Sequence, residues 1–253
     1  MKLDAPVAGG PCWTELGTGD LEAAKRFYGG LFGWRTETDP RQEAGGYTTA
    51  YLGEDAVAAL TPLYQPGQPV AWNVSFAVSD ADVSARLLVE AGGRVLLGPM
   101  DVFDLGRFTV AADPGGAVFQ LWQGGTFPGA GVYNSPGALG WVELLTRDTA
   151  RAESFYTTVF GWTVRSSARY PRLGVGGEDF GGMLAMDDRF PPEVPPHWLP
   201  YFAVTDVDTT ASTAGSSGGT ALMAPMTVPD GPRIAVLRDP QGGVFGVYES
   251  AGG

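Results

Sequence analysis

The chain has 253 residues, 44% hydrophobic and 17% charged, which is enough apolar surface for packed cores and argues against disorder of the whole chain. A formal net charge of -12 with 16 scattered basic residues leaves no basic stripe to gather phosphates, so nucleic acid is excluded as an expected partner. One cysteine, Cys12, excludes an internal disulfide and a thiolate-rich metal site.

In chain order, residues 1–6 carry no apolar run of the signal-peptide kind and no later stretch reaches 18 uncharged apolar residues, so the expected setting is cytoplasmic and away from membranes. Residues 11–16 read as a strand. Asp20 stands where it would accept the orphan amides of a helix whose face carries Leu21, Ala24, Phe27, Tyr28 and Leu31, and Gly33 ends that helix. Extended segments follow at 47–52 and 56–63. Residues 72–78, Asp80 and the helical stretch 83–91, closed by Gly92-Gly93, restate the same order of strand, aspartate cap and helix. Strands near Val95, at 107–112 and at 117–123 complete the unit. A run rich in glycine and proline at 124–137 then reads as a linker, whose Phe127, Val132 and Tyr133 suggest packing on a surface.

After the linker the pattern returns. Trp13, Glu15-Leu16, Asp20, Ala24, Phe27-Tyr28 and Phe32-Gly33-Trp34 recur 128 residues later, from Trp141 to Trp162. Gly92-Gly93, Pro99-Met100, Arg107, Asp113-Pro114 and Val118-Phe119 recur 126 residues later, from Gly218 to Phe245. Two blocks in one order, twice, mark a duplicated domain: a first module at 8–123, the linker at 124–137 and a second module at 138–250. The expected class is α+β, each module being a pair of βαβββ units.

These motifs, with the Asp113-Pro114-Gly115-Gly116 turn into Val118-Phe119-Gln120-Leu121-Trp122, resemble the vicinal oxygen chelate superfamily of glyoxalases, bleomycin-resistance proteins and extradiol dioxygenases, over nearly the whole chain. The resemblance implies curled mixed sheets that form cups, with helices outside and ligands inside. It also implies metal ligands of the His, Gln or Glu type on the first and last strands of each half. The matching positions here hold Trp13, Asn73 and Gln120 in the first copy and Trp141, Leu199 and Gly246 in the second, with the remaining pair near Ala59 and Leu184. Only Gln120 is of a ligand type, and a catalytic zinc wants about three protein ligands. The expectation is a site with no metal and no cofactor.

Alternation along a strand puts Glu15 and Glu143 on the same concave faces as Trp13 and Trp141. These acids are candidate ligand anchors or metal-free general bases, or else carboxylates satisfied by backbone amides or by Arg107 and Arg233. Trp72, Asn73, Gln120, Trp122, Trp198 and Tyr248 are candidate contacts for a planar ligand, although Trp72 and Asn73, as neighbours on one strand, point to opposite faces. Gly246 empties the wall of the second cup or enlarges its cavity. His197, after Pro195-Pro196, is expected at a rim, and the aspartates 20, 80, 148 and 206 are expected to be helix caps. The functional expectation is a binder of an apolar or aromatic small molecule, acting as a monomer or homodimer. A metal-free lyase, isomerase or cyclase using Glu15 or Glu143, and a structural protein with filled cups, are the alternatives.

Overall fold

The computed structural model describes residues 6–165 and 170–249; the N-terminal segment 1–5 and residue 250, the expected end of the second module, lie outside the described residues. The first half-unit comprises β1 (Pro11–Thr18), α1 (Leu21–Phe32), β2 (Arg35–Thr38), β3 (Thr48–Leu52) and β4 (Asp55–Pro62). The second comprises β5 (Ala71–Ala77), α2 (Ala81–Glu90), β6 (Arg94–Val102), β7 (Gly106–Ala112) and β8 (Val118–Gly124). The third has β9 (Leu139–Thr146), α3 (Thr149–Phe160), β10 (Thr163–Arg165), β11 (Arg172–Val175) and β12 (Glu178–Ala185). The fourth has β13 (His197–Val204), α4 (Val207–Ser216), β14 (Thr220–Thr227), β15 (Arg233–Arg238) and β16 (Val244–Glu249). The α+β reading with four βαβββ halves therefore holds.

Each module is one eight-stranded mixed sheet, ordered β2-β3-β4-β1-β5-β8-β7-β6 in the first and β10-β11-β12-β9-β13-β16-β15-β14 in the second. Within a half the first strand runs parallel to the last, as in β1 with β4 and β5 with β8, and the halves join through antiparallel β1–β5 and β9–β13 pairs. All four helices begin at the aspartates read as caps. The Asp20, Asp80, Asp148 and Asp206 side chains accept from the amides of Ala23, Val83, Arg151 and Thr209. Gly33 and Gly161 end α1 and α3 at φ of 72° and 68°, a left-handed conformation that a side chain disfavours.

The helices cover only one face of each sheet, and those covered faces meet between the modules. One shared core joins Phe27, Tyr28 and Phe32 of α1 to Phe202, Leu237 and Phe245 of the second sheet; the other joins Phe155 and Tyr156 of α3 to Phe76, Phe119 and Leu121 of the first. The repeated motif residues thus pack across the module boundary. Tyr28 donates from its hydroxyl to the buried Asp239 carboxylate at 2.8 Å and accepts from the Trp72 indole at 3.0 Å. Its counterpart Tyr156 donates to buried Asp113 at 3.1 Å and accepts from Trp198 at 2.9 Å. The Trp34 and Trp162 indoles donate across the boundary to the carbonyls of Gly137 and Gly9.

Two of the candidate ligand contacts are corrected here. Trp72 and Trp198 belong to these inter-module cores and not to the cups, because on β5 and β13 they alternate with Asn73 and Leu199, which face the opposite way. Tyr28→Phe and Tyr156→Phe each leave a buried carboxylate and a buried indole short of a partner, so each is expected to cost about 1–3 kcal/mol in urea denaturation. Removing the exposed Glu22–Lys25 ion pair, by contrast, is expected to cost under about 0.5 kcal/mol.

Candidate functional site

With the helices packed between the modules, the opposite face of each sheet points away from them, and Trp13, Ser75, Gln120 and Trp122 on that face of the first module are themselves buried. In the first module Trp13, Glu15 and Gly17 of β1 project onto this face, opposite Ser75, Asn73 and Ala71 of β5, and Gln120 of β8 stands beside Ser75. Glu15 is the centre of a side-chain network. Its Oε1 accepts from Gln120 Nε2 at 2.7 Å and its Oε2 from the Tyr47 hydroxyl at 3.3 Å. The Tyr47 hydroxyl accepts in turn from the Trp13 indole at 2.8 Å, and the Gln120 carbonyl oxygen accepts from Ser75 Oγ at 2.6 Å. Neither Arg107 nor Arg233 takes part: each pairs with acids on its own module's surface, Arg107 with Asp82 and Asp101 and Arg233 with Asp208.

Burial pushes the Glu15 carboxyl above its ordinary value near 4.5, against the smaller opposing pull of the donors Gln120 and Tyr47. The same carboxylate raises Tyr47, already raised by burial, and contributes to pushing the rim residue Tyr64 up to about 12. Asn73, directly opposite Glu15 in the sheet, is partly exposed and makes no side-chain hydrogen bond among the described residues. Beyond Gln120 the wall is apolar and uncovered, with Leu97 44% exposed, Met100 45% and Val118 38%. One end of the cup is closed by the linker: Phe127 packs edge-on against Trp13 with ring centroids 4.9 Å apart, and its carbonyl accepts from the Trp122 indole at 2.9 Å. Cys12 is buried, donates weakly to the Ser75 carbonyl and has its thiol titration raised by burial, which suits a structural thiol and not a nucleophile.

The second module repeats the network with different parts. The Trp141 indole donates to the Tyr170 hydroxyl at 3.0 Å, Tyr170 hydrogen-bonds Glu143, and Glu143 accepts its other bond from the Tyr201 hydroxyl at 3.2 Å. Burial raises the Glu143 carboxyl too. The wall expected to be emptied at Gly246 is instead occupied: Tyr201, at the position of Ser75, lays its ring in the space that a Cβ at 246 would need. Tyr248 reaches the rim of this cup, where its hydroxyl bonds the Asn134 side chain of the linker. His197 lies at the start of β13 with Nδ1 2.8 Å from the Pro195 carbonyl, and burial lowers its titration.

Sequence reasoning missed Tyr47, Tyr170 and Tyr201. Tyr47 and Tyr170 stand at matched positions just before β3 and β11 but outside the two blocks that mark the repeat, and Tyr201 replaces a serine, so the repeat gave no signal for it. Among the described residues the one cluster of carboxylates close enough to share a metal ion is Asp206, Asp208 and Glu249. It is outside both cups and already engaged as a helix cap, an arginine partner and an acceptor for the Val207 amide. No helix among the described residues is long and apolar enough to cross a membrane.

The sequence model of the Glyoxalase/Bleomycin resistance protein/Dioxygenase superfamily matches residues 11–121 and again 138–246. The chain belongs to this superfamily. Over 252 residues it is 39% identical to CFP32 of Mycobacterium tuberculosis, a protein provisionally named a glyoxylase, across 96% of this chain and 95% of that one. It is 38% identical over 259 residues to the anthracycline biosynthesis protein DnrV of Streptomyces peucetius, across 95% and 93% of the two chains. Among solved structures, the Mn(II)-bound glyoxalase from Novosphingobium aromaticivorans superposes with a TM-score of 0.68 at 15% identity, covering 97% of this chain and 83% of that one. The 2,3-dioxygenase LapB from Pseudomonas sp. KL28 gives 0.67 at 14%, covering 95% and 91%. At such identities the likeness is one of fold.

Because both network carboxyls titrate above 4.5 when folded, the folded chain keeps protons that the unfolded chain releases. Their contribution to stability is whole below that pH and is lost as pH rises through the folded-state titrations. Urea denaturation from about pH 4 to about pH 8 should therefore show the doubly substituted E15Q/E143Q protein gaining on the wild type as pH rises. A stability difference that stays constant over the range would contradict the desolvation argument.

Proposed function

We propose that this chain binds an apolar, aromatic small molecule in the first module's cup without a metal ion, as a cytoplasmic accessory in making or neutralising a natural product. The observation that carries the reading is the composition of that cup. A carboxyl drawn toward its protonated form lies beside an unpartnered amide at the foot of an uncovered apolar wall. Asn73 offers a donor to the carbonyl or hydroxyl oxygens of a planar ligand beside Glu15, while Leu97, Met100 and Val118 cover its apolar body. The relative that acts in anthracycline biosynthesis supports a polycyclic ketone as the ligand class.

The donor set does not suit a metal. Of the positions the superfamily uses for ligands, only Gln120 carries a customary donor, and its amide is already committed to Glu15 and Ser75. Both Glu15 oxygens are likewise engaged, so ligation would have to break the network. The second reading is a metal-free lyase or isomerase in which Glu15 moves a proton. It is favoured by the upward shift of that carboxyl, which brings it closer to the range where general acid–base catalysis at neutral pH is efficient, and by the provisional glyoxylase name of a relative.

Native mass spectrometry with elemental analysis on freshly purified protein tests the first reading, with a metal-free chain carrying a co-purified organic mass as the expected outcome. A stoichiometric metal would overturn it. Glu15→Gln separates binder from enzyme, because a binder should lose about 1 kcal/mol of affinity, roughly fivefold in Kd, with no turnover in either protein. An enzyme should lose turnover while retaining most of its affinity.

A further inference from the structure

We infer that residues 125–130 of the linker form a strap that opens locally, that its Phe127 stands in for a ligand ring between Trp13 and Trp122, and that Arg41 latches it shut. The opening goes beyond the ligand-binding reading of the first cup; its use as an entrance rests on that reading.

The strap leaves β8 at Gly124 and runs over the first cup to Gly131. The Phe127 ring lies edge-on to two tryptophans, with centroids 4.9 Å from Trp13 and 6.1 Å from Trp122. Those tryptophans are buried, so part of the surface on which a planar ligand would stack is taken by the chain's own phenyl ring.

The strap's hydrogen bonds fall into two groups. The amides of Gly125, Thr126 and Phe127 donate to the carbonyls of Leu105, Asp104 and Leu105, and the Thr126 hydroxyl also donates to Asp104. These bonds fuse the strap to the tip of the β6–β7 hairpin. Gly125 permits the approach, since a Cβ there would lie 2.6 Å from the Asp104 carbonyl oxygen. The hold on the cup is thinner: the Trp122 indole donates to the Phe127 carbonyl, and the Ala130 amide donates to the Cys12 carbonyl. A piece bonded well within itself and sparsely to its seat opens at a lower free energy than the whole chain unfolds.

The latch comes from the opposite edge of the sheet. β2 and β6 are its two edge strands, yet the Arg41 guanidinium, beyond the end of β2, lies 3.9 Å from the ring centroid of Phe103, just beyond β6. Asp39 holds that guanidinium in place through its Nε and Nη2 donors. Phe103 takes a φ of 51°, a left-handed conformation unfavourable for an aromatic residue, and in it the ring meets Arg41. One exposed cation–π contact thus joins the two edges across the cup.

Cys12, the chain's one thiol, reports the opening. It is buried against the strap, where a Cβ on Gly129 would lie 2.5 Å from the Cys12 carbonyl oxygen. The test is the rate at which iodoacetamide alkylates Cys12 in the full-length protein, set against the global unfolding rate from urea jumps followed by far-UV circular dichroism. Expected is labelling faster than global unfolding in the wild type, and faster again by roughly two- to fivefold in Arg41→Ala. Phe127→Ala should raise the rate more than about tenfold. Tyr28→Phe, which weakens the core between the modules, should leave it unchanged. Labelling that tracks global unfolding, or that rises in Tyr28→Phe as much as in Arg41→Ala, would overturn the strap. Arg41 is exposed, so this comparison holds even where Phe127→Ala fails to fold. Quinizarin, a fluorescent hydroxyanthraquinone, tests the entrance: binding to Arg41→Ala tighter by the same factor as labelling is faster supports it, and equal affinity overturns it. Binding to neither protein would overturn the ligand reading, while faster labelling would still support the strap.

Discussion

The arrangement depends on burying the helix-covered faces of two sheets against each other. A βαβββ half covers one sheet face with one short helix, which leaves much of that face apolar and open. Here the two modules supply each other's cover, and the fit is fixed by a pair of reciprocal contacts: Tyr28 on Asp239 and Tyr156 on Asp113. A carboxylate in the turn between the last two strands of one module accepts from a helix of the other, so neither module completes its polar bonding alone. This explains why the aspartate turn and the Phe-Tyr helix motif both recur. The duplication preserved both halves of an interlocking contact.

A consequence is that the concave faces point away from the shared core and bury smaller clusters of their own. Their chemistry can then diverge as long as the buried carboxyl at each centre keeps two donors. Desolvation makes an unpaired acid costly, so a change that removes one donor must supply another. The exchange of Ser75 and Gln120 for Tyr201 and Gly246 satisfies this requirement with a side chain of a different size. Hydrogen-bonding satisfaction is conserved between the cups although the side chains that provide it are not.

The carboxyls themselves behave as polar groups in an apolar cup. Their titrations move upward because burial outweighs the pull of their donors.

The sequence by itself determined the duplication, the four half-units, the aspartate caps and the placement of Trp13, Glu15, Gln120 and Trp122 on one concave face, because each follows from local spacing or from strand alternation. It also carried the warning that Trp72 and Asn73 cannot share a face. What the tertiary structure alone decided is which face of β5 and β13 meets the other module, and hence that Trp72 and Trp198 bond to tyrosines in the core. It alone brought Tyr47, Tyr170 and Phe127 into the cups, and it turned the vacancy expected at Gly246 into the seat of Tyr201. The physical reason is one of range: alternation and capping act between neighbours in the chain, whereas the filling of a cavity depends on side chains from strands and loops dozens of residues apart.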